Sequence, residues 1–271
     1  MSPIGIILLI FFIGVVAYAR SLRSSSASND SNPPGFELYA KLLDEKFPYF
    51  RLLNDREQHV FVSRLRYIRN HKNFRSRDTA LVITEEMEIL FSAALTQLTF
   101  GLSNFDLESF TELQLTATTF YSRLIEHQVK GLTFESGRVI LSWADFEEGY
   151  RIVNDKMNLG LHELAHALWI TFFEDEGSRI EEHFREWNIV ALRELKRMEE
   201  GSDSKFFRDY AATNIEEFWA CCVECFFEAP VEFKTNIPDL YAGVCRVLNQ
   251  DMAARVLTWT PANASRVAST V

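Results

Sequence analysis

The chain has 271 residues, 47% of them hydrophobic, which suffices for one sizeable domain whose core needs no disulfide stapling. Its formal net charge of −10 argues against a nucleic-acid partner, because no surplus of Lys or Arg is available to neutralise phosphates. Three of the four cysteines, Cys221, Cys222 and Cys225, fall within one helical-looking stretch, a pattern of thiol usage and not of a disulfide framework.

From Ile4 to Ala19 the chain carries no charge (IGIILLIFFIGVVAYA), and as a helix this run approaches the thickness of a hydrocarbon core. Residues 1–20 are expected to form an N-terminal transmembrane anchor. Arg20 and Arg23 follow the run, and positive residues on that side predict a single pass in the cell (inner) membrane with the domain in the cytoplasm. The alternative is export after signal-peptide cleavage near Ala19, for which Ala17-Tyr18-Ala19 supplies the small-residue pattern although no Lys or Arg precedes the apolar run. Residues 21–35 are polar and Ser-rich and contain Pro33-Pro34, a composition that makes a linker and not a core.

The domain is expected over 36–260. Between Phe36 and His71 apolar residues such as Val60, Leu65 and Ile68 recur at helical spacing, which predicts two helices broken around Pro48. Thr79 to Thr84 (TALVIT) reads as a short strand, and Thr84 followed by Met87 opens a helix through Leu98. Phe110 to Leu124 predicts strand or extended structure, and Gly137 to Trp143 (GRVILSW) a strand bounded by glycine. From there the pattern is helical, until residues 261–271 form a small, polar, flexible tail. These elements predict an α+β, helix-dominated architecture with a small sheet.

His162-Glu163-Leu164-Ala165-His166 is an HExxH sequence inside the apolar, helically spaced stretch Met157 to Phe173. Residues four apart share a helix face, so the two imidazoles can bind one zinc ion while Glu163 stands beside the open position and takes a proton from bound water. Two histidines and a glutamate are costly to bury in an apolar helix unless something satisfies them, and a metal does. A hydrolytic site wants a third protein ligand, and Glu217 is the candidate, in Asn214-Ile215-Glu216-Glu217 ahead of the apolar run Phe218 to Phe227. The spacing leaves a second reading open, since Asn214 and Glu217 also form a capping-box pattern. Glu224, seven residues on and near the same face, is expected to accept the free N–H of a ligand histidine, with an exposed position on an amphipathic helix as its bland alternative. Cys221 and Cys225 read as small core residues.

Taken with FPYFRLLNDRE, VILSW, LHELAHAL, YAATNIEEFWA, VECFFEAP and PDLY, the chain from about Phe47 to Gln250 resembles the glucose-regulated metallopeptidases, the Mlc titration factor A-like family of zinc peptidases. The site is also similar to that of anthrax lethal factor. The resemblance implies a gluzincin-like zincin fold, peptide or protein substrates, and a Zn2+ site of His162, His166 and Glu217, with Glu163 as catalytic base. It also implies that Tyr210, seven residues before the ligand glutamate, sits near the metal and steadies the oxyanion as a second catalytic residue. A regulatory role, binding a partner such as a transcriptional repressor, is the alternative it offers. The chain departs from the family at Trp169, where an aspartate is usual, through 169–179, and at Ile215-Glu216, where a proline-alanine pair is usual.

Overall fold

The structure, a computed structural model, describes residues 35–174, 179–200 and 206–259. The expected anchor over 1–20, the linker up to Pro34 and the tail over 261–271 lie outside these residues, and among the described residues no helix is long and apolar enough to cross a membrane.

Three helices, not two, occupy the first segment: α1 (Phe36–Lys46), α2 (Pro48–Arg51) and α3 (Asp55–His71). Pro48 starts α2 at its first position, where the missing N–H costs nothing. Asn54 and Glu57 then open α3 with a reciprocal capping box: Asn54 Oδ1 accepts from Glu57 N at 3.0 Å, and Glu57 Oε2 accepts from Asn54 N at 2.9 Å.

The first strand is β1 (Asn73–Ser76), and the expected strand over Thr79–Thr84 does not form. Past Ser76 the chain turns off the sheet edge, where Ala117 N donates to the Asp78 carboxylate at 2.5 Å and Leu81 N donates to Asp78 O at 3.1 Å. Leu81 and Ile83 lie half-buried against the core as the chain runs on to Thr84, whose hydroxyl accepts from Met87 N and caps α4 (Glu85–Thr99). The segment thus has a strand's composition without a ladder to join.

Five further strands follow: β2 (Glu112–Thr116), β3 (Phe120–Ser122), β4 (His127–Val129), β5 (Gly131–Phe134) and β6 (Arg138–Ser142). The main sheet has the order β1-β2-β6-β5, with β1, β2 and β6 parallel and β5 antiparallel at the edge, while β3 and β4 pair as a separate ribbon. Leu113, Leu115, Val139 and Leu141 are buried in the core.

The rest is helical: α5 (Trp143–Arg151), α6 (Leu159–Glu174), α7 (Arg179–Glu199), a 3-10 turn (Asp209–Ala212), α8 (Ile215–Glu228), α9 (Pro230–Asn236), α10 (Pro238–Leu248) and α11 (Met252–Thr258). α6 packs against α4, β5, β6 and α8, and its residues Leu161, Leu164, Ala165, Ala167, Leu168 and Phe172 are all buried. A helix apolar on every side is a core helix, which is why a polar motif within it stands out.

The segment joining α5 to α6 carries two residues with positive φ, Asn154 and Lys156, and carboxylates of α8 hold it in place. Asn154 N donates to Glu228 Oε2 at 2.8 Å, and Asn158 N donates to Glu224 Oε2 at 2.7 Å. Burial pushes the Glu228 carboxyl up to about 7 from an ordinary 4.5, against the pull of its two asparagine donors. For such an acid the unfolded chain gives up its proton first, so stability falls as pH rises from about 4.5 to 7 and is level above. Glu228→Gln, which keeps an acceptor, should therefore raise stability at pH 8 by on the order of 3 kcal/mol and leave it unchanged near pH 4.5, as read by urea denaturation at the two pH values.

Candidate metal centre

α6 begins at Asn158, whose side chain accepts from Leu161 N at 3.0 Å, and the HExxH residues occupy its first two turns. His162 and His166 lie one turn apart on one face, with their Nε2 atoms 3.2 Å from each other. Glu217 enters from the first turn of α8, its Oε2 lying 3.1 Å from His162 Nε2 and 3.5 Å from His166 Nε2. The structure thus brings together the three residues expected as ligands.

The α6–α8 seam sets this convergence. Ala165 is fully buried and its carbonyl accepts from Trp219 Nε1 at 3.0 Å, so an indole two residues past Glu217 pins α8 to the HExxH turn. Asn214 caps α8 by accepting from Glu217 N at 2.8 Å, but the Glu217 carboxylate does not return the bond as it would in a capping box. It points at the imidazoles instead.

The buried Glu217 Oε2 has no hydrogen-bond partner, close though both rings are. Burial acts to raise the Glu217 carboxyl, but the two histidines outweigh it and hold the group well below the usual carboxylate range. For His162 burial acts downward, and the neighbouring Glu217 and Glu224 carboxylates more than reverse it, so the imidazole is raised well above its ordinary value. In the metal-free protein, then, a proton on His162 answers carboxylates that a divalent cation would answer better.

The residues present fit such a cation. Zinc bonded to nitrogen and oxygen at about 2.0–2.1 Å in a tetrahedron has ligand–ligand edges of roughly 3.3–3.4 Å. The three observed separations, 3.1, 3.2 and 3.5 Å, bracket that edge, and three protein donors leave the fourth position open.

Behind His162, Nδ1 lies 2.7 Å from Glu224 Oε1, the position expected of an acceptor for a ligand histidine's free N–H. Glu224 is buried and answers three donors besides the ring: Asn158 N, and Arg208 Nη1 and Nη2 at 3.2 and 2.5 Å. Sequence reasoning missed Arg208 and Asn158. Asn158 carried a signal, an N-cap residue just ahead of an apolar helix, whereas nothing local marks Arg208.

Glu163, on the adjoining face of α6, is buried and turned toward β5, where Thr133 Oγ1 lies 2.8 Å from its Oε2. Burial pushes its carboxyl up against the pull of His162 and His166. Tyr210, in the 3-10 turn, is half-exposed, its ring centre 6.1 Å from that of His162. Its phenol is raised by burial first and then by the nearby Glu217 carboxylate, so it stays protonated as a donor. Trp169, edge-on to Phe184 at 4.7 Å, lies in the wall of the cleft; the carboxylate behind His162 comes from α8 and not from this position. The cleft, about 840 Å³, is lined by β5, the start of α6, Arg208, Tyr210 and Glu216.

Comparison with known proteins places residues 23–248 in the glucose-regulated metallo-peptidase M90 family by its sequence profile. Mlc titration factor A of Yersinia pestis (strain Pestoides F) and that of Yersinia pseudotuberculosis serotype O:1b (strain IP 31758) are each 27% identical over 145 residues, 48% of this chain and 50% of theirs. The chain spans about half the length of these relatives.

Removing Glu224 leaves the His162 N–H and the Arg208 guanidinium without their shared partner. Glu224→Leu should destabilise the metal-free protein by on the order of 3 kcal/mol, and Glu224→Gln, which still offers an acceptor, by less. Urea denaturation in the presence of a chelator measures both.

Proposed function

We propose that this chain, which belongs to the glucose-regulated metallo-peptidase M90 family, is a zinc-dependent peptidase with His162, His166 and Glu217 as metal ligands and Glu163 as general base. The observation that carries the reading is the triangle of donor atoms, 3.1 to 3.5 Å on a side, with a buried carboxylate oxygen that lacks a hydrogen bond at one corner. Zinc held by these three residues would supply Lewis acidity toward a carbonyl and would make a nearby water more acidic. Glu163, beside the triangle and raised by burial, takes the proton from the attacking water and passes it to the leaving amine. Tyr210 donates its phenolic proton in a hydrogen bond to the carbonyl oxygen as negative charge develops there.

The edge strand gives the substrate a place. Ser142 N donates to Lys130 O at 2.7 Å, so by antiparallel alternation Lys130, Leu132 and Phe134 bond β6, while the main-chain groups of Gly131 and Thr133 face away from it. An extended peptide adds to such an edge by strand pairing. The proposal extends to the N-terminal run, read as an anchor that holds the domain on the cytoplasmic face of an inner membrane.

A second reading takes its support from the relatives' name, which describes titration of Mlc: this chain would bind a regulatory protein, such as a transcriptional repressor, through the same fold. Elemental analysis and a peptidase assay separate the two. The peptidase reading expects about one zinc per wild-type chain, a sharp loss in Glu217→Ala, and zinc retained in Glu163→Gln with hydrolysis reduced at least about a hundredfold. Zinc-loaded protein with no hydrolysis of any peptide, and with partner binding intact in Glu163→Gln, would favour the regulatory reading.

A further inference from the structure

The Glu163 carboxylate does not stand on α6 alone. Gly131 and Thr133 of β5, two apart and on one face of the strand, both meet it. A Cβ at Gly131 would lie 2.2 Å from Glu163 Oε1 and 2.5 Å from its carboxyl carbon, so the carboxylate occupies space that any side chain at 131 would fill. Thr133 Oγ1 lies 2.8 Å from Oε2 and 2.9 Å from the Glu163 carbonyl oxygen. One hydroxyl proton serves both acceptors, which ties the carboxylate to the main chain of its own residue and removes rotational freedom from a flexible side chain.

We propose that Thr133 and Gly131 are positioning residues that fix the Glu163 carboxylate with Oε2 anchored and Oε1 left to receive a proton. The inference rests on the peptidase reading and adds to it a division of labour: the strand edge that receives an extended peptide also holds the base. Orientation of this kind matters because a proton acceptor displaced by about an ångström can lose on the order of a hundredfold in rate.

The test uses zinc-loaded full-length protein and acetohydroxamate, followed by titration calorimetry. Binding moves the hydroxamic O–H proton to Glu163, and the resulting oxyanion goes to the metal, so affinity reports the placement of Oε1 without a peptide substrate. Thr133→Val keeps the branched shape and deletes the hydroxyl, and Thr133→Ser restores it. The proposal expects about tenfold weaker binding for Thr133→Val, wild-type affinity within about twofold for Thr133→Ser, and no added loss from Thr133→Val in a Glu163→Gln background, all at unchanged zinc content. Gly131→Ala should weaken binding in the same way. Wild-type affinity in Thr133→Val, or an equal loss in the Glu163→Gln background, overturns the proposal and leaves the peptidase reading standing. Zinc-loaded wild type that does not bind acetohydroxamate overturns the assignment of Glu163 itself.

Discussion

Two imidazole nitrogens and a carboxylate oxygen converge on the α6–α8 seam, where the buried Glu217 Oε2 receives no hydrogen bond, and this unmet polarity constrains the packing around it. Burying such groups costs several kcal/mol unless a cation or proton answers them. The surrounding structure serves to hold them together. The Trp219–Ala165 bond fixes how α8 lies on α6, which brings Glu217 to the histidines in its first turn. Two turns further, the same register carries Glu224 behind His162, where Asn158 and Arg208 complete its hydrogen bonds. A shift of one residue along the seam would break both contacts together.

Because successive residues of a helix point about 100° apart, an HExxH motif must serve two neighbours. The histidine pair faces α8, and Glu163 faces β5. The antiparallel edge strand therefore meets the Glu163 carboxylate at Thr133 and Gly131, with the main-chain groups of these two residues turned away from β6. The segment between α5 and α6 is tied to the same machinery, since the α8 carboxylates that receive Asn154 and Asn158 lie on the helix that carries Glu217.

Much of the site was legible because helical spacing is local information. Four residues put His162 and His166 on one face, and seven put Glu224 near the face of Glu217, whatever the tertiary fold. The choice between cap and ligand at Glu217 was not legible from spacing, and the reason is physical: its N–H is capped by Asn214 while its carboxylate leaves for the histidines. Gly131, Thr133 and Arg208 reach the site across long stretches of sequence that no local pattern encodes. At the level of the fold, the helices after Gly137 followed from apolar periodicity, while β1, β4 and β5, of three or four residues each, are too short for alternation to register. Thr79–Thr84 erred the other way, with strand-forming residues but no neighbouring strand to pair with.

A second group of donors stands on the other side of His162, where Cys221, Glu224 and the ring lie close enough to bind an ion of their own. X-ray absorption at the zinc edge, on metal-loaded protein, discriminates the two positions most directly. Ligation by His162, His166 and Glu217 predicts only nitrogen and oxygen neighbours at about 2.0–2.1 Å, with outer-shell scattering from two imidazoles. A sulfur neighbour at about 2.3 Å would place the metal with Cys221 and contradict the account.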